Sequence, residues 1–72
     1  MARPITLPTR VVLPSGAAML RAGDAYARVG ISRATAHVWR RHGFPPSDRR
    51  HLIDTAALAS WLAARGVSLH WI

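Results

Sequence analysis

Ala22-Gly23-Asp24-Ala25-Tyr26-Ala27-Arg28-Val29, then Gly30-Ile31, then Ser32-Arg33-Ala34-Thr35-Ala36-His37-Val38-Trp39-Arg40-Arg41, is the stretch on which the fold turns. Ala22, Ala25, Tyr26 and Val29 recur at helical spacing. Asp24 falls in the first turn, where a carboxylate favours the helix dipole. Gly30 takes positive φ without steric cost and stops the helix, and Ile31 then drops into the core. Ser32 opens a second helix, its hydroxyl placed to accept from first-turn amides. A short helix, a glycine turn and a serine-capped helix together predict a helix-turn-helix.

Downstream, Trp39 has core spacing, Gly43 ends the second helix, and Phe44-Pro45-Pro46 enforces an extended exit with Phe44 as a core anchor. Ser47-Asp48-Arg49-Arg50-His51 is a polar, basic turn. Leu52 and Ile53 are expected on the return strand of a short hairpin, a wing, with Asp48 bonding its own turn backbone. Asp54 caps a third helix over residues 55–65, with Leu58, Trp61 and Leu62 as its apolar stripe and Gly66 as its stop. Upstream, Pro4, Pro8 and Pro14 prevent any helix, so residues 1–17 read as a partly disordered N-terminal arm. Within it Val11-Val12-Leu13 suits a short strand, and Arg3 and Arg10 suit DNA backbone or minor groove. Residues 18–66 form the domain proper. Residues 67–72 are an apolar tail, expected as a strand or docking segment that either packs on its own chain or forms a protein interface.

The chain has 72 residues, a single domain near the lower size limit for folding without staples, and half its residues are hydrophobic. Alanine dominates that half, which predicts a thin core. There is no cysteine, hence no disulfide and no thiol chemistry. The net charge is +7: all ten basic residues are arginine, against Asp24, Asp48 and Asp54. Two of those acids stand at helix starts and read as structural. So positive a surface favours phosphate-rich partners. Arginine's planar fork also matches phosphate oxygens and the O6/N7 edge of guanine. No apolar run is long enough for a membrane span, and prolines interrupt any signal-like segment. A cytoplasmic bacterial protein, nucleoid-associated when bound, is expected.

Leu20-Arg21 with Asp24, Val29-Gly30-Ile31-Ser32-Arg33-Ala34-Thr35, the Trp39 anchor, Gly43-Phe44-Pro45, and Asp54 ahead of a helix carrying Trp61-Leu62 occur in an order that resembles the AlpA-like group. These are small winged helix-turn-helix proteins related to the MerR DNA-binding domain and to phage excisionases. The similarity covers roughly residues 19–65. It implies a mainly α fold of three helices with a small β wing. Two places depart from the group's pattern. The stretch between Phe44-Pro45 and the last helix is shorter, and Ala36 stands where the group carries a bulkier aliphatic. Members regulate transcription, or bend DNA at phage attachment sites to drive excision.

The expected DNA-binding residues are Ser32, Arg33, Thr35, Ala36, His37, Arg40 and Arg41 on the second helix, with Arg49, Arg50 and His51 on the turn. Small residues at a helix start let backbone approach base edges, and Arg33 reaches a guanine or a phosphate. Thr35 is read either as a contact to phosphate or thymine methyl, or as a packing residue. His37 and His42 are five apart and so on different faces, and no cysteine supports a zinc site. The serines lack a base-and-orienter arrangement, and no Gly-rich phosphate loop exists, so no enzyme, cofactor, metal or small-molecule ligand is expected. The expected partner is double-stranded DNA, with integrase or further copies of the chain beside it. The expected function is an excisionase (a recombination directionality factor) that binds and bends attachment-site DNA. The alternatives are an AlpA-like transcriptional regulator and, from another class, a phage or host-factor adaptor in DNA packaging.

Overall fold

The computed structural model describes residues 7–72, so Arg3 and the first part of the expected arm lie outside the described residues. In chain order the elements are β1 (Arg10–Leu13), β2 (Met19–Arg21), α1 (Ala22–Val29), α2 (Arg33–Trp39), a 3-10 turn (Arg40–His42), β3 (Leu52–Asp54), α3 (Thr55–Ala64) and β4 (Ser68–Trp71). The described residues thus form three α-helices and short strands in a small mixed α/β domain.

The helices start and stop where local chemistry dictates. The Ser32 hydroxyl accepts from the Thr35 amide at 3.1 Å, and the Asp54 carboxylate accepts from the Ala57 amide at 3.1 Å. Gly30 ends α1 in the left-handed region, its amide returning to the Tyr26 and Ala27 carbonyls. Asp24 pairs with Arg28 one turn later at 3.0 Å. Arg28 also donates to the Val12 carbonyl at 3.1 Å and so ties α1 to β1.

The strands form two separate pairs. β2 and β3 run antiparallel, with Leu20 opposite Ile53. This corrects the expected hairpin: Leu52–Asp54 returns to the strand ahead of α1, and residues 47–51 form a turn with no strand of their own before it. Pro45 and Pro46 explain the difference, because neither carries the amide that a hairpin's first arm would donate. β1 and β4 run parallel, with Val11 opposite Leu69. The short strand expected at Val11–Leu13 is present, and the tail takes the first of its two expected forms, a strand packed on its own chain; the extent of the arm changes. Part of the segment read as an arm is core strand, since Val11 and Leu13 are buried. The tail is that strand's partner on the same chain, and the Ile72 amide donates to the Leu13 carbonyl at 2.9 Å. Trp71 and Ile72 nonetheless stay 47% and 63% exposed.

One hydrophobic cluster joins these parts. Leu13 and Val11 from β1, Ile53 from β3, Leu58 and Leu62 from α3, and Phe44 from the α2 exit are its most deeply buried large side chains. Thr55 Oγ1 is a buried side-chain oxygen without a hydrogen-bond partner.

Candidate nucleic-acid interface

Packing at its far end sets how α2 faces outward. Trp39 stacks on Trp61 of α3, with ring centroids 5.7 Å apart and planes 28° apart. Phe44 meets Trp61 edge-on at 5.1 Å and Trp39 edge-on at 6.0 Å. Each such pair contributes about 0.5–1.5 kcal/mol beyond its buried area. The Trp61 indole N–H donates to the His42 carbonyl at 2.9 Å. The Arg65 guanidinium lies 4.0 Å over the Trp61 ring and donates to the same carbonyl. The 3-10 turn that ends α2 is therefore anchored by two donors from the α3 region. Gly43 follows at φ +90°, and a Cβ there would sit 3.3 Å from the Trp61 nitrogen. The backbone conformation selects glycine, and a side chain there would also have to displace the Trp61 ring by a few tenths of an ångström.

With Trp39 and Ala36 turned inward, Arg33, Ala34, His37, Val38, Arg40 and Arg41 are left on the exposed side. Arg33, His37 and Arg40 share one open cleft of about 960 Å³ with Ala34 and Val38. Tyr26 and the start of α1 contribute to its lining, and so do Ser47 and His51. Arg40 also reaches the Ser47 hydroxyl at 3.4 Å. Arg33 and His37 of α2, Arg40 of the 3-10 turn and His51 of the turn before β3 thus converge on one concavity whose lining includes no carboxylate.

A single carboxylate organises the turn. Asp48 Oδ1 accepts from the Arg50 amide at 2.8 Å and the Leu52 amide at 3.0 Å. The Leu52 N–H is the main cause that holds the Asp48 carboxyl below its ordinary value; the Arg50 N–H and the positive Arg50 and His51 side chains add to it against a smaller desolvation effect. His51 adopts φ +59°, the left-handed region. Its amide donates to the Asp48 carbonyl and its own carbonyl accepts from the Ala22 amide at 2.7 Å. The first amide of α1, which has no side-chain cap, is satisfied by the turn. That bond fixes the turn against the start of α1.

Of the expected site residues, the cleft brings together Arg33, His37, Arg40 and His51. Arg41, Arg49 and Arg50 are exposed and adjoin these in the chain. Ser32 and Thr35 are occupied locally, the Ser32 hydroxyl donating to Thr35 Oγ1 at 3.0 Å, and Thr35 is half-buried. Ala36 is corrected: it is 0% exposed and packs in the core, so it offers no surface to a ligand. Val38, 55% exposed and on the cleft lining, is absent from the expected set. The signal for it was present: once Ala36 and Trp39 claim the core face, Val38 one turn beyond Ala34 has to face out.

Elsewhere arginine has structural work. Arg28 is held by Asp24 and the Val12 carbonyl, and Arg65 by Trp61 and the His42 carbonyl. No three metal-ligating side chains gather among the described residues, and no described helix is long and apolar enough to cross a membrane. No protein-family model matches this chain, and no curated protein or solved structure matches it.

Proposed function

We propose that this chain is a sequence-specific double-stranded DNA-binding protein of winged helix-turn-helix type, used as an excisionase that binds and bends attachment-site DNA. The observation that carries the reading is the convergence of Arg33, His37, Arg40 and His51 on one open cleft, on a chain of net charge +7. In this reading α2 enters the major groove. Arg33, at the helix start, reads guanine O6/N7 or grips a phosphate. Ala34 lets the helix approach closely, and His37 hydrogen-bonds a base edge or phosphate. Arg40 and Arg41 hold one backbone, and Arg49, Arg50 and His51 take the place of a wing on the neighbouring backbone or minor groove. The fixed turn keeps the two contact regions at one spacing, and the duplex bends where gripping both requires it to depart from the straight form.

Use as a transcriptional regulator differs only in where the protein sits. Footprinting on the DNA that flanks its gene separates the two: clustered direct repeats beside an integrase attachment site support excision, and one protected promoter supports regulation. DNA binding itself is tested by fluorescence anisotropy on a labelled random-sequence duplex, with bending read by energy transfer between its ends. Salt-dependent binding with a shortened end-to-end distance is expected. Salt-independent or absent binding overturns the reading, and binding to a straight duplex overturns the bending.

A further inference from the structure

Inside the cationic cleft lies an apolar strip. Ala34 and Val38 are four residues apart on α2, both are exposed, and both line the cleft together with Arg33, His37 and Arg40. A single exposed valine needs no explanation on most surfaces. Here its placement does. A β-branched residue is a poor choice for the exposed side of a seven-residue helix on propensity grounds. It neither packs on the core nor joins the exposed Trp71 and Ile72 of the tail strand. A ligand that fits this cleft meets positive groups and exposed apolar side chains side by side.

Resting on the reading that α2 occupies the major groove, we infer that Ala34 and Val38 form a contact for the 5-methyl group of thymine, and that Val38 is a specificity-determining residue. The major-groove edges of guanine, cytosine and adenine present only donors and acceptors. Thymine alone adds a methyl group there. The flanking arginines supply phosphate and guanine contacts, so the strip reads an A·T pair next to them. The Val38 side chain contributes two methyl groups to van der Waals contact with the base methyl, and Ala34 leaves room for it to seat.

The test uses the full chain and one selected duplex. Binding sites are enriched from a random-sequence duplex pool. The best site is then resynthesised with each thymine replaced in turn by deoxyuridine, which removes the methyl and nothing else. The wild-type chain is expected to lose about 3–10-fold in affinity at one or two of those positions. Val38→Ala is expected to bind the thymine and uracil duplexes within about twofold of each other while keeping the wild-type salt dependence. Because Val38 is exposed, the variant's thermal unfolding should match wild type, and Val38→Thr, which keeps one methyl, should retain part of the discrimination. Equal wild-type affinity for every uracil-substituted duplex refutes the thymine contact while leaving DNA binding intact. Discrimination that persists undiminished in Val38→Ala refutes the role of Val38. Failure to bind any duplex removes both this inference and the reading beneath it.

Discussion

The ionic-strength dependence of duplex binding tests the placement of charge directly. Five exposed arginines, Arg33, Arg40, Arg41, Arg49 and Arg50, are those proposed to meet DNA. If each neutralises one phosphate, the slope of log affinity against log salt is about −4.5, at about −0.9 per contact. Raising salt from about 50 mM to about 200 mM then weakens binding about 500-fold. Replacing Arg49 and Arg50 together by alanine removes two contacts, giving a slope of about −2.7 and a loss of only about 40-fold over the same range. Arg10→Ala is the control, because that exposed side chain lies on β1 in the other strand pair. Arg28 and Arg65 are unsuitable controls, since their contacts to Asp24 and Trp61 are structural. Anisotropy titrations at four or so salt concentrations supply the slopes. A wild-type slope near zero would falsify duplex binding through this surface. An unchanged slope in the double variant would detach the turn from DNA, and a drop of half that expected size in Arg10→Ala, which removes one charge instead of two, would mean that charge acts through its total and not its position.

Four further outcomes follow from individual residues. His51→Gly relieves a left-handed backbone that costs a non-glycine residue about 1 kcal/mol; its thermal midpoint should hold or rise while DNA affinity falls, and a drop of several degrees would refute strain at His51. Asp48 has a depressed folded-state pKa, so its contribution to the turn is complete above the ordinary carboxylate value and is lost as pH falls through the folded one. Amide shifts of Arg50 and Leu52 should therefore titrate together only at the acidic end of an NMR series, and titration in the ordinary carboxylate range would count against those bonds. Ala36→Leu overfills a closed site and should cost about 1–3 kcal/mol in chemical denaturation, where a ligand-facing residue would cost almost nothing. Deleting residues 68–72 removes β4 and should abolish cooperative unfolding, whereas Trp71→Ala should leave both the melt and duplex affinity near wild type; the reverse pattern would make the tail an interface.

Local chemistry was legible in the sequence and tertiary pairing was not. Gly30, Ser32 and Asp54 announce helix ends because capping is decided within four residues, and the observed bonds are those the residue types predict. Trp39, Phe44 and Trp61 announce a core through spacing and size alone. Strand partners are another matter. Leu52-Ile53 reads as the return of a hairpin, yet its partner lies some thirty residues upstream, chosen because Pro45 and Pro46 cannot serve. The Val11–Leu13 segment and the tail each read as a strand, but nothing local says that each is the other's partner. The site shows the same division. Arg33, His37 and Arg40 share a face by helical periodicity, so their convergence was readable. Ala36 was misplaced because alanine suits a buried face and an exposed one equally; once it joins Trp39 in the core, Val38 follows outward by helical periodicity.

The site's precision therefore comes from residues outside it. α2 has seven residues, too short to be stable alone. Its axis is held at the far end by Trp39 on Trp61 and by two donors on the His42 carbonyl, and at the near end by the Ser32 cap. The turn that faces it is held by Asp48 and by the His51 carbonyl on the Ala22 amide. None of these bonds touches the cleft lining through the arginines themselves. Charge alone would attract any polyanion to this chain. In the proposed reading, what separates a DNA reader from a merely basic surface is that the positive groups are carried on elements whose relative position is fixed before the ligand arrives, so that binding energy is not spent on ordering them. Selectivity for sequence should accordingly be lost by core substitutions that leave every arginine in place.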